Sequence, residues 1–124
     1  MGLEDKNAQH YREVVDKYVN PTANYFMNTY DYVVRPSADP TSGPITITLP
    51  RVSEAKGRFY SILARDADGT NTVTVQDRDD SELWSNIILN GAGDQVLLYS
   101  DGLHWWTISQ TLTYAGTTAA PTTA

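Results

Sequence analysis

The chain has no cysteine, so disulfides and thiolate metal sites are excluded and the redox compartment is not readable. Basic residues are also scarce. Lys and Arg total 9 against 15 Asp and Glu, a net charge of −6, whereas nucleic acid and anionic membranes both select clustered positive charge. Neither is expected as a partner. No stretch reaches the roughly 18 apolar residues of a membrane helix, and the opening "MGLEDKNAQHYREVVDKYV" lacks the apolar block of a secretory signal. The expectation is a soluble chain that carries no export signal.

Catalytic and metal-binding signatures are equally thin. The 2 histidines, His10 and His104, lie in no recognisable nucleophile or zinc-ligand motif. Carboxylates cluster in "DRDDSELW", but counting from Asp77 the sixth position is Glu82 and the twelfth is Ile88, where a calcium loop needs Gly and a bidentate Glu. A solvated acidic loop is the simpler reading. In "DADGTN", Asp68-Gly69 between two strands is explained by turn chemistry. "NGAGD" is followed by neither Lys-Ser/Thr nor a helical pattern, so it reads as a strand connection and not a phosphate loop. An enzyme using Asp79, Asp80 and Glu82 as paired carboxylates is the weakest reading, and no cofactor is expected.

What the chain does have is patterned apolar sequence. Tyr11, Val14, Val15 and Tyr18 recur at helical spacing with Glu13 and Lys17 as an i,i+4 pair. This predicts a short amphipathic helix over about 4–19, ended by Asn20-Pro21. The aromatic run "NYFMNTYDYVV" and then "RPSADPTSGP" suggest an extended linker, making residues 1–44 an N-terminal arm. From Ile45, short alternating runs ("ITITL", "RFYSILAR", "NTVTVQD", "NIILN", "QVLLYS", "LHWWTIS") are separated by turn-rich segments. They predict an all-β domain over 45–114, a small antiparallel β-sandwich or barrel of jelly-roll or β-tulip type. Residues 115–124, rich in Thr and Ala, read as a flexible tail.

Trp105 and Trp106 are adjacent, and neighbouring side chains on a strand point to opposite faces. One core cannot bury both. If Asp101-Gly102 centres a hairpin, Ser100 faces Leu103, Tyr99 faces His104, Leu98 faces Trp105, Leu97 faces Trp106 and Gln95 faces Ile108. Val96, Leu98, Leu103 and Trp105 then share one side and Leu97, Tyr99, Trp106 and Ile108 the other. "RFYSILA" repeats the pattern, with Phe59 and Leu63 opposite Tyr60, Ile62 and Ala64. Each large aromatic left wet would forfeit on the order of 2 kcal/mol, so a second apolar face implies a second partner surface. The candidate interface residues are therefore Tyr11, Val14, Val15, Tyr18, Leu97, Tyr99 and Trp106, with Asp101 and Gly102 as the structural turn.

Taken in order, "ITITLP", "SEAKGRFYSI", "TNTVTVQD", "NGAGD" and "LLYSDGLHWW" make the segment from Ile45 to Ile108 resemble a β-domain of tailed-bacteriophage virion proteins. The resemblance implies a structural role: a capsid decoration (cement) protein, commonly a homotrimer, that binds major capsid protein on the outer shell and stabilises neighbouring subunits. It would be made in the host cytoplasm and located in the virion. A head-fibre or tail-fibre module with receptor or carbohydrate binding is the alternative, with Trp84, Trp105 or Trp106 as a stacking platform.

Overall fold

A computed structural model describes residues 18–81 and 85–113. The described chain is built from strands: β1 (Tyr18–Val19), β2 (Tyr25–Phe26), β3 (Val33–Val34), β4 (Ile45–Thr48), β5 (Phe59–Leu63), β6 (Val73–Gln76), β7 (Ile87–Leu89), β8 (Gln95–Ser100) and β9 (Trp105–Thr111). They form a five-stranded sheet in the order β1-β3-β5-β8-β9 and a four-stranded sheet in the order β2-β4-β6-β7. Among the described residues no helix is long and apolar enough to cross a membrane.

The expected antiparallel sandwich or barrel is corrected in two respects: neither sheet closes, and both are mixed. From β1 to β6 the chain alternates between the sheets. A strand therefore pairs with the next but one, which has returned in the same direction, and β1-β3, β3-β5, β2-β4 and β4-β6 are all parallel. The excursion through the other sheet serves as the crossover that parallel pairing requires. Antiparallel pairs appear between β6 and β7, β5 and β8, and β8 and β9.

One hydrophobic cluster draws on both sheets. Val34, Tyr60, Ile62, Val96, Leu98 and Trp105 come from the first and Ile45, Ile47, Val73, Val75, Ile87 and Leu89 from the second. Their strands alternate buried with partly exposed positions, the period that a pleated strand with one face on a core imposes. The two sides expected of β5 separate, and the structure decides which one faces in: Tyr60, Ile62 and Ala64 are buried, and Phe59 is exposed.

The arm reading of residues 18–44 does not describe their packing. This segment supplies β1, β2 and β3, and Met27, Val34 and Ala38 enter the core. The proline-rich stretch "RPSADPTSGP" is pinned by backbone bonds from Ser37 N to Pro21 O and from Ala38 N to Asp66 O. Local composition reported a lack of repetitive structure there, yet single backbone bonds and small buried side chains suffice to order it. Of the helix expected over about 4–19, residues 4–17 lie outside the described residues, as does the tail at 115–124; Tyr18 and Val19 are strand.

Candidate interaction face

The side of the five-stranded sheet opposite the core is apolar and aromatic. Register places Tyr18 beside Val33, Val33 beside Ser61, Ser61 beside Leu97 and Leu97 beside Ser109, a row crossing all five strands. The next row on that side runs Phe59, Tyr99, Trp106. Phe59 and Tyr99 rings sit 5.0 Å apart at 43°, within the range in which tilted aromatic pairs attract. Tyr18 is 47% exposed, Phe59 48% and Trp106 36%. At the sheet edge the Arg35 guanidinium lies 4.2 Å from the Tyr18 ring centroid and is held by an Nε–H bond to Asn20 Oδ1.

Trp105 and Trp106 divide as the alternation requires. Trp105 is fully buried, with its ring edge-on to Tyr60 at 5.6 Å, and Trp106 lies on the outer face. The hairpin pairs themselves are corrected. Ser100 pairs with Trp105, Tyr99 with Trp106 and Leu98 with Thr107, and a bulge between Leu97 and Leu98 brings Leu97 opposite Ser109. Up to the bulge the register has moved by two residues, which leaves Trp105 and Trp106 on their expected sides, and the bulge leaves Ile108 as the extra residue, 53% exposed. Leu103, expected inside, is 71% exposed in the loop.

The reason for the shift is the chemistry of Asp101. Its Oδ1 accepts from the backbone N–H of Leu103 and His104, and its Oδ2 accepts from Trp106 Nε1 at 2.8 Å. The carboxylate therefore caps a four-residue loop over 101–104, closed by Asp101 N donating to His104 O. Gly102 still takes positive φ, 95°, a conformation that glycine adopts without steric cost. The three donors, with the Trp106 indole foremost, hold the Asp101 carboxyl down at about 2. His104 packs edge-on to Trp106 at 6.3 Å, not against Tyr99 as expected.

The structure thus brings Leu97, Tyr99 and Trp106 together on one face, with Tyr18 at its far edge. Tyr11, Val14 and Val15 lie outside the described residues. Sequence reasoning set Phe59 on the side of its strand opposite Tyr60 and Ile62 but did not join it to the interface set. Only the β5–β8 register, a non-local pairing, puts it against Tyr99.

The acidic segment is more integrated than a solvated loop. Asp77 Oδ1 and Oδ2 accept from Asp79 N and Ser81 N, and Asp80 Oδ2 accepts from Val52 N; burial pushes the Asp77 carboxyl up. Asp79 carries positive φ, 61°. Asp68 is committed to its turn, accepting from Thr70 N and Asn71 N, and these bonds lower its pKa. Among the described residues no group of three His, Asp or Glu side chains converges on a metal position.

Comparison of the chain with protein-family models, with curated proteins and with solved structures finds no match.

Proposed function

We propose that this chain is a structural protein of a tailed-bacteriophage virion, a decoration protein that joins neighbouring subunits of the shell and has no catalytic step of its own. The observation that carries the reading is the aromatic outer face of the five-stranded sheet, where Phe59, Tyr99 and Trp106 continue into Leu97, Val33 and Tyr18. Apolar faces of this kind mark protein contacts, and aromatic residues are enriched at the centres of such contacts. The partners in this reading are sister copies, as a homotrimer, and major capsid protein on the capsid surface, with no role for nucleic acid or membrane. The two sheets would form the layers of a small sandwich, and residues 1–17 would add to the attachment surface. A protein that binds only the assembled shell stabilises it by the free energy of binding.

Native mass spectrometry followed by co-sedimentation with expanded capsids tests this. A trimer that pellets with capsids, and that does so less when Trp106 is replaced by Ala, is expected. A monomer that ignores capsids would refute it.

A fibre module with receptor or carbohydrate binding is the second reading, favoured by one observation on the other sheet: Phe26 is 66% exposed beside a polar groove.

A further inference from the structure

The outer faces of the two sheets are chemically unlike. On the four-stranded sheet, the rows opposite the core run Phe26, Thr48, Gln76 and Thr46, Thr74, Ile88. Hydroxyl and amide groups predominate where the other sheet carries aromatics. At one end of this face is a groove of ≈ 440 Å³ whose lining includes Phe26, Thr48, Arg51, Gln76, Asp77 and Asn86. That volume falls in the range of roughly 300–1,000 Å³ typical of small-molecule sites.

Three features of the groove converge. Phe26 offers a large apolar ring at the surface, steadied by the Arg78 guanidinium 5.3 Å from its centroid. Arg78 is itself fixed, donating from Nε to Leu49 O and from Nη2 to Met27 O, so the platform is preorganised. Around it stand groups of both hydrogen-bonding senses. Gln76 Nε2 donates to Thr48 Oγ1, which holds that side chain in place, and the Arg51 guanidinium makes no hydrogen bond or ion pair among the described residues. The Asp79 backbone beside Asp77 is held at positive φ, a cost that loops bear most often at functional sites.

A pyranose has an apolar patch of C–H bonds on one ring face and hydroxyls that both donate and accept around its rim. A ring platform bordered by guanidinium, amide and carboxylate groups matches that pattern, and a purely anionic or purely apolar ligand would use only part of it. We propose that the groove formed by Phe26, Arg51, Gln76 and Asn86 binds a saccharide through one pyranose unit stacked on Phe26. This deepens the second reading given above and uses none of the residues on which the first depends.

The test is titration of the full chain with a panel of neutral methyl pyranosides, the corresponding uronate and inorganic phosphate, followed by amide shifts in NMR. Binding of a pyranoside or uronate is expected, with shifts at Phe26, Gln76 and Asn86. It should weaken about tenfold in Phe26→Ala, as loss of one aromatic stacking partner implies, and also in Arg51→Gln, while Trp106→Ala binds normally. Phe26 is exposed enough for its replacement to leave the fold intact, and an unchanged circular dichroism melt verifies this. Absence of shifts with every sugar would overturn the proposal. So would equal affinity for phosphate, or binding lost in Trp106→Ala and retained in Phe26→Ala. Each of these leaves the capsid co-sedimentation result untouched, so the two readings fail separately.

Discussion

Replacing Trp105 and Trp106 one at a time tests the division of this adjacent pair most directly. Trp105 is 0% exposed and packs edge-on to Tyr60, so Trp105→Ala removes a whole buried ring and leaves a cavity, at a cost of about 3–5 kcal/mol. Set against a typical domain stability of about 5–15 kcal/mol, this is enough to leave the protein marginal. Trp105→Phe should cost clearly less. It keeps an aromatic ring against Tyr60, and it removes the indole Nε1–H, which is buried with no hydrogen-bond partner among the described residues; an unpaired buried donor costs about 1–3 kcal/mol, and that saving offsets part of the lost volume. Trp106→Ala gives up a partly exposed ring, its edge contact with His104 and an exposed hydrogen bond to Asp101, and should cost about 1 kcal/mol. Urea unfolding followed by far-ultraviolet circular dichroism measures all three without relying on tryptophan emission. Equal destabilisation by Trp105→Ala and Trp106→Ala, or a Trp105→Phe protein as unstable as Trp105→Ala, would refute the reasoning.

Three further outcomes are expected. The Asp101 carboxyl is held at about 2, below the unfolded value near 3.9, so its contribution is complete above pH ~4 and is lost as pH falls through ~2; the Trp106 indole N–H resonance should shift across that window, and a midpoint near 4 would contradict the bond. Gly102→Val should lower stability by roughly 1–2 kcal/mol, because φ is 95° and the added Cβ would stand 3.0 Å from Lys56 Cδ; Asp101→Asn should be milder, since an amide oxygen can still accept from Leu103 and His104, and equal effects in thermal melts would show the loop misread. Met27→Ala should cost about 2–5 kcal/mol by denaturant unfolding, because Met27 is fully buried; a change under about 0.5 kcal/mol would restore the reading of residues 18–44 as a detachable arm.

Much of the β-rich character is local in origin and was therefore legible. Alternation in "RFYSILA" separates the two sides of β5, adjacency sends Trp105 and Trp106 to opposite faces, and Asp101-Gly102 marks a turn whatever the loop length. None of these depends on which strand lies alongside. The parallel pairing of β4 with β6, the joining of Phe59 to Tyr99 and the entry of Met27 into the core do depend on it, because each is a contact between segments far apart in sequence. Two-residue strands such as β2 carry too few positions to show a period, so their pairing follows from the sheet that receives them. The outer faces illustrate the same division. The sequence alone determined that apolar residues exceed what one side of each strand can hide, because the pleat allows two sides only. Tertiary structure decided that the aromatics of β5, β8 and β9 form one continuous face, and that Phe26, Arg51 and Gln76 meet at a groove on the other sheet, because register and crossover direction are settled by the competition of many strands for a single core.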